Sequence, residues 1–136
     1  MNFKSPLAFA CATAFTFIAL GKEIDVSKLP PPSPQTDVTY EKDIKPILDK
    51  SCVKCHGAEK PKAKLRMDSL QGVLKGGVDG KVVNPGNSAK SMLIINVAHL
   101  GEQDDWMPPP NNKAKIGPLS PEQIGLIRAW IDQGAK

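Results

Sequence analysis

Cys52-Val53-Lys54-Cys55-His56 constrains this chain more than anything else in it. Two cysteines separated by two residues, with a histidine directly after, form the pattern of covalent haem attachment. Each thiol can add to one of the two vinyl groups on a haem edge. Two intervening residues let both sulfurs reach those neighbouring positions from one turn of backbone. The histidine then offers its imidazole to the iron, so five residues supply two tethers and one axial ligand. A fold built on this motif has to shape itself around a flat, bulky apolar body.

Two other uses of a C-x-x-C pair compete with this one. A redox dithiol of the thioredoxin kind needs a βαβ setting, and the sequence around the motif shows little strand pattern. A zinc site needs four ligands. Past Cys52, Cys55 and His56, the remaining good nitrogen or sulfur donor after the first 21 residues is His99. Cys55 and His56 are also adjacent, which is awkward for one tetrahedral ion.

The N-terminus fits export. Met1-Asn2-Phe3-Lys4 is a short positive start, and Pro6 to Leu20 is uncharged and mostly apolar, too short to favour a membrane span. Small residues in Ala19-Leu20-Gly21 place a signal-peptidase cut after Gly21, so 1–21 is expected to be a signal peptide and the location the periplasm. Cys11 raises the alternative of a lipid or a retained membrane anchor. Ala8-Phe9-Ala10 is a poor lipidation box, however, and the apolar run continues beyond it. Export suits the motif, because haem is generally attached outside the cytoplasm. A Cys52–Cys55 disulfide would close a very small loop and stabilise little.

All four phenylalanines lie in that leader, which leaves Tyr40, Trp106 and Trp130 as the aromatics of the remaining chain. About 115 residues make one domain at most, with a modest buried fraction. Its core is expected to be Ile, Leu and Val, with haem as the missing flat body, so the haem-free chain should fold poorly. With Lys4 gone, 17 of the 18 Lys and Arg remain against 14 Asp and Glu. No dense basic run with interleaved aromatics marks a nucleic-acid surface. Lys54, Lys60, Lys62, Lys64 and Arg66 do surround the motif with only Glu59 among them. That cluster reads either as a solvated loop or as a docking rim for an acidic redox partner.

Residues 22–37, with Pro30-Pro31-Pro32-Ser33-Pro34, read as a stiff extended linker without packed structure. The domain proper is 38–136. Tyr40, Ile44, Ile47 and Leu48 recur at helical spacing, and Thr39 can cap the start. Pro46 forces either a kink or a short turn followed by a helix starting near it. Gly57 to Gly86 is irregular, with one short helix within Met67–Lys75 capped by Asp68 or Ser69 and a turn at Asn84-Pro85-Gly86. Ser88 to Leu100 reads as one solid helix with Met92, Ile95 and His99 along a stripe. Ser120-Pro121-Glu122-Gln123 is a capping box opening the last helix, with Ile124, Ile127 and Ile131 on one stripe and Gly134 at its end. That helix should pack on the Tyr40–Leu48 segment. The sum is a small all-α domain of short helices.

Trp106-Met107-Pro108-Pro109-Pro110 is the second chemical feature. Met107 follows His56 by 51 residues on a proline-stiffened loop that can hold a thioether against iron. Soft sulfur there favours the ferrous state and raises the reduction potential. Met92, Met67 and His99 are the competing sixth ligands. The two methionines are better suited to filling the core.

Taken together, Cys52-Val53-Lys54-Cys55-His56-Gly57, Leu65-Arg66-Met67-Asp68-Ser69, Gly76-Gly77, Pro85-Gly86, Ser91-Met92-Leu93-Ile94, Met107-Pro108-Pro109 and Gln123-Ile124…Trp130-Ile131…Gly134-Ala135 resemble the planctomycete-type cytochrome c domain, a branch of the class I cytochromes c. The resemblance runs from about Val38 to the C-terminus. It implies an all-α, small cytochrome c-like fold around one covalent haem c, with His56 as proximal ligand and Met107 as distal ligand. The expected role is single-electron transfer between redox partners, with no substrate converted. A haem-based sensor in which Met107 leaves, and a zinc-stabilised structural module, are the alternatives. No Ser/His/Asp set, carboxylate pair or phosphate loop argues for an enzyme.

Overall fold

A computed structural model describes residues 23–136; the expected signal peptide, 1–21, and Cys11 lie outside the described residues. Among them the regular structure is helical, with one isolated bridge between Gly77 and Gly80. The all-α expectation holds. No helix among the described residues is long and apolar enough to cross a membrane.

The first helical segment follows from Pro46. A wide π-helical turn, Tyr40–Ile44, runs directly into α1, Lys45–Ser51, with the proline in the first turn of the α-helix. There its missing N–H costs nothing, because first-turn donors have no intrahelical partner. Thr39 caps the start by accepting from the Lys42 amide, and the Asp43 carboxylate accepts from the Thr39 amide at 2.9 Å. Cys52 leaves helical geometry (φ −126°, ψ −42°), and α2, Val53–His56, begins at once.

The last helix, α5, is Pro121–Asp132. Both halves of the Ser120–Gln123 capping box form, at 2.9 and 3.2 Å. Gly134 adopts φ +104°, and the Gly134 and Ala135 amides close onto the Ile131 and Trp130 carbonyls. This left-handed finish is where glycine is favoured. Ile127, Trp130 and Ile131 are fully buried, as are Tyr40, Ile44 and Leu48 of the facing segment. Each such aliphatic side chain contributes about 1.5–3 kcal/mol relative to exposure. The Tyr40 and Trp130 rings lie 6.0 Å apart. The core is therefore not aliphatic alone, since its centre is this aromatic pair. Tyr40 ties three regions together. Its amide donates to the Lys136 carbonyl at 3.0 Å, and its hydroxyl donates to the Met67 carbonyl at 3.1 Å. Burial, with Glu41, Asp49 and Asp68 nearby, pushes its hydroxyl up to about 12.

The middle of the chain departs from expectation. The short helix α3, Leu70–Lys75, appears as read, with Ser69 as its cap and Gly76 (φ +83°) as its stop. The expected helix over Ser88–Leu100 is broken. A 3-10 turn, Ser88–Lys90, is followed by Ser91 in extended geometry and then by α4, only Met92–Val97. The hydroxyls explain the break. Ser91 Oγ donates to the Asn87 carbonyl and accepts from the Asn84 amide, both at 2.9 Å, offering the backbone an alternative to the helix. Ser88 is taken up by the Asp132 carboxylate of α5, at 2.7 and 2.9 Å. His99, at φ +55°, ends the segment. The register resets accordingly. Leu93, Ile94, Ile95 and Val97 are buried, whereas Met92 is 41% exposed and fills no core.

The proline-rich segment also differs from an unpacked spacer. It lies as an extended strap along α5. Leu29 and Val38 are buried, Ser33 donates to the Gly125 carbonyl at 2.9 Å, and the Arg128 guanidinium donates to the Pro30 carbonyl. Gly125 makes room, because a Cβ there would stand 2.7 Å from the Pro31 oxygen. Prolines hold the strap open without using donors, so its carbonyls remain available to α5.

Candidate functional site

The motif occupies one turn. The Cys55 and His56 amides both return to the Cys52 carbonyl, at 3.1 and 2.9 Å, and all three side chains line one cavity of about 230 Å³. Cys52 and Cys55 both carry free thiols. Burial pushes the Cys52 thiol up to about 12, with Cys55 adding to the effect, so Cys52 sits in the wall as a neutral thiol.

His56 is buried, and its ring is held by backbone. Nδ1 lies 3.2 Å from the Lys62 carbonyl and 3.1 Å from the Leu65 carbonyl. Carbonyls only accept, so Nδ1 carries the proton and Nε2 keeps its lone pair. This is the tautomer a metal-binding imidazole needs, with its other nitrogen fixed by an outer partner. The loop that presents the two carbonyls turns sharply, with Ala63 and Lys64 both at positive φ. A second loop buttresses it. Val78 donates to the Ala63 carbonyl at 2.8 Å, and a Cβ on Gly77 would stand 2.6 Å from that same oxygen.

Met107 lines the same cavity. Its amide donates to the Asn96 carbonyl at 3.0 Å, and its own carbonyl lies 3.2 Å from His99 Nε2. Beyond it, Asn112 gathers the loop by bonding to the Pro109 carbonyl and to both backbone groups of Ile116. The competitors sort themselves by position. His99 is not in the lining; its ring stacks parallel on Trp106, centroids 4.8 Å apart. Met92 lies on a separate cleft with Glu23 and Leu100. Met67 does line the cavity, 2% exposed, with its amide bonded to the His56 carbonyl at 2.7 Å.

The remaining lining is largely apolar, with Leu65, Val82, Leu93, Val97, Pro108 and Ile116 among it. Cys52, Met67, Leu93 and Val97 belong to both the cavity wall and the core, so a body seated here would extend the core. One polar atom in the wall stands out. Asn96 Oδ1 is buried without a hydrogen-bond partner among the described residues. Such an orphan acceptor costs about 1–3 kcal/mol. Two thiols, one imidazole with a free lone pair, the thioethers of Met107 and Met67 and an apolar slot fit the donor set of a covalently held haem. No cluster of three or more His, Cys, Asp or Glu among the described residues is placed to hold a metal ion by itself.

A family model described as Planctomycete cytochrome C matches residues 52–111. That match supports a planctomycete-type cytochrome c domain over those residues. The match to the cytochrome c domain opens on Cys52 and closes just past Met107, so it takes in every residue discussed as a ligand. The family implies haem binding. No curated protein and no solved structure matched the chain.

Some of what builds this site left no mark in the sequence. The grip on His56 comes from two main-chain carbonyls, which residue types do not disclose. Gly77 was legible only as a breaker, and His99 only as a competing ligand. Asn96 carried no signal.

Proposed function

We propose that this protein is an exported monohaem c-type cytochrome that carries single electrons between redox partners. The observation that carries this is the gathering of Cys52, Cys55, His56 and Met107 into one cavity, although Met107 is 51 residues away from the motif. Cys52 and Cys55 would tether the haem through thioethers, and His56 Nε2 and the Met107 sulfur would hold its iron. The bound haem supplies a single reversible electron at iron. The protein's part is to hold both ligands still, so that little rearranges when the charge changes, and to keep other molecules from the metal. No substrate is converted.

The leader, residues 1–21, directs the chain to the periplasm. The partner is an acidic redox protein that docks on Lys54, Lys60, Lys62 and Lys64, all of them exposed. Arg66 is exposed too but is held by Asp68 in a two-pronged pair at 2.9 and 2.6 Å, so it offers less free charge. A rim of this kind speeds encounter and loses its effect as salt rises.

The test is a spectroscopic redox titration of protein from a cytochrome-maturing host. One reversible one-electron step, with low-spin spectra in both states and no carbon monoxide binding to the reduced form at neutral pH, is expected. Ready carbon monoxide binding would replace the electron carrier with a haem-based sensor. Zinc in place of a haem absorbance would replace it with a structural module.

A further inference from the structure

The geometry points to His99 as the positioning residue that fixes Met107 as an iron ligand, an inference that rests on the reading of Met107 just given. A thioether offers no polar hydrogen by which a protein can aim it, so its backbone has to be held instead. At Met107 both backbone groups are held. The N–H goes to the Asn96 carbonyl at 3.0 Å, and the carbonyl accepts from His99 Nε2 at 3.2 Å. Because the partner is a carbonyl, Nε2 carries the imidazole proton.

His99 is itself set for this task. It lies immediately past α4 in left-handed geometry, φ +55°, which non-glycine residues seldom adopt. Its amide donates to the same Asn96 carbonyl at 3.2 Å, so that one oxygen anchors both His99 and Met107. Its ring stacks on the Trp106 indole, the two planes within 2° of parallel, and the indole N–H in turn donates to the Gly101 carbonyl at 3.0 Å. Stacking fixes the plane of the imidazole, and the hydrogen bond fixes its direction. The outcome is a histidine outside the cavity whose ring reaches the peptide of a residue inside it.

The experiment uses the full-length haem-loaded protein and reads two signals. One is the long-wavelength sulfur–iron band of the oxidised form. The other is the rate of cyanide binding to ferric protein, which requires Met107 to leave. His99→Phe keeps a ring to stack on Trp106 and removes the donor. It should speed cyanide binding about five- to tenfold, the effect of one lost hydrogen bond. His99→Gln restores an N–H near the position of Nε2 and should return the rate to within about twofold of wild type. A His99→Phe rate equal to wild type overturns the inference, as does His99→Gln reacting as fast as His99→Phe. Met107→Ala separates the two claims. If it leaves the sulfur–iron band intact, the reading of Met107 as ligand falls and takes this inference with it. If it abolishes the band while His99→Phe behaves as wild type, only the role of His99 falls.

Discussion

The cavity has two kinds of wall, and they hold their key residues by different means. At the His56 wall the side chain is gripped directly, since imidazole has a second nitrogen that the Lys62 and Leu65 carbonyls can take. At the Met107 wall nothing polar on the side chain can be taken, and the grip falls on the peptide groups at either side of its Cα. The first arrangement fixes an atom's direction. The second fixes a starting point and leaves three side-chain torsions to packing. The His56 wall should therefore be the stiffer of the two and the Met107 wall the one that yields.

Removing each ligand gives the largest contrast. His56→Ala should leave little or no stably haem-loaded protein, measured as haem absorbance per polypeptide. Met107→Ala should keep its haem, lose the sulfur–iron band and bind carbon monoxide when reduced. Equal loss of haem in both variants would break the contrast between the walls. A smaller effect tests the buttress behind the His56 wall. Gly77→Ala drives a Cβ against the Ala63 oxygen and should cost about 1–3 kcal/mol in denaturant unfolding of the haem-loaded protein. Gly117→Ala meets nothing within 4 Å and should stay within about 0.5 kcal/mol of wild type. Similar values for the two would mean that the Gly77 loop is not a support.

The smallest effect concerns pH. Tyr40 reaches the His56 wall through Met67, whose carbonyl accepts the Tyr40 hydroxyl. Its folded-state value, about 12, stands above the ordinary 10. A raised value means that the neutral form is the one favoured by folding. The contribution is whole below about pH 10 and is lost as pH rises from there through about 12. Tyr40→Phe should cost about 0.5–1.5 kcal/mol near neutrality and should show a shallower alkaline loss of stability than wild type. Parallel alkaline profiles for the two proteins would remove Tyr40 from this account.

Legibility followed the range over which each feature is decided. The last helix was readable throughout because its cap, proline, apolar stripe and terminal glycine lie within 15 residues, Ser120–Gly134. Pro46 likewise announced where α1 would begin. The helix over Ser88–Leu100 failed because two hydroxyls found partners elsewhere, Ser91 at Asn84 and Asn87 and Ser88 at Asp132, and composition weighs serine without knowing its partner. The strap failed for a related reason. Proline-rich sequence tells of extension, not of what lies alongside, and the hint was a glycine, Gly125, nearly a hundred residues later. In the site, the four side chains proposed to hold haem stood out because their chemistry resides in residue type. Their supports were not, because most of them are backbone carbonyls.

Everything above depends on one haem being joined to Cys52 and Cys55. Intact-mass measurement of protein exported by a cytochrome-maturing host, denatured in acid and organic solvent and treated with an alkylating reagent, addresses that directly. The expected result is the polypeptide from Lys22 onward plus a single haem, with no alkyl group on either sulfur. A polypeptide at its bare mass, alkylated on both cysteines, would contradict the account.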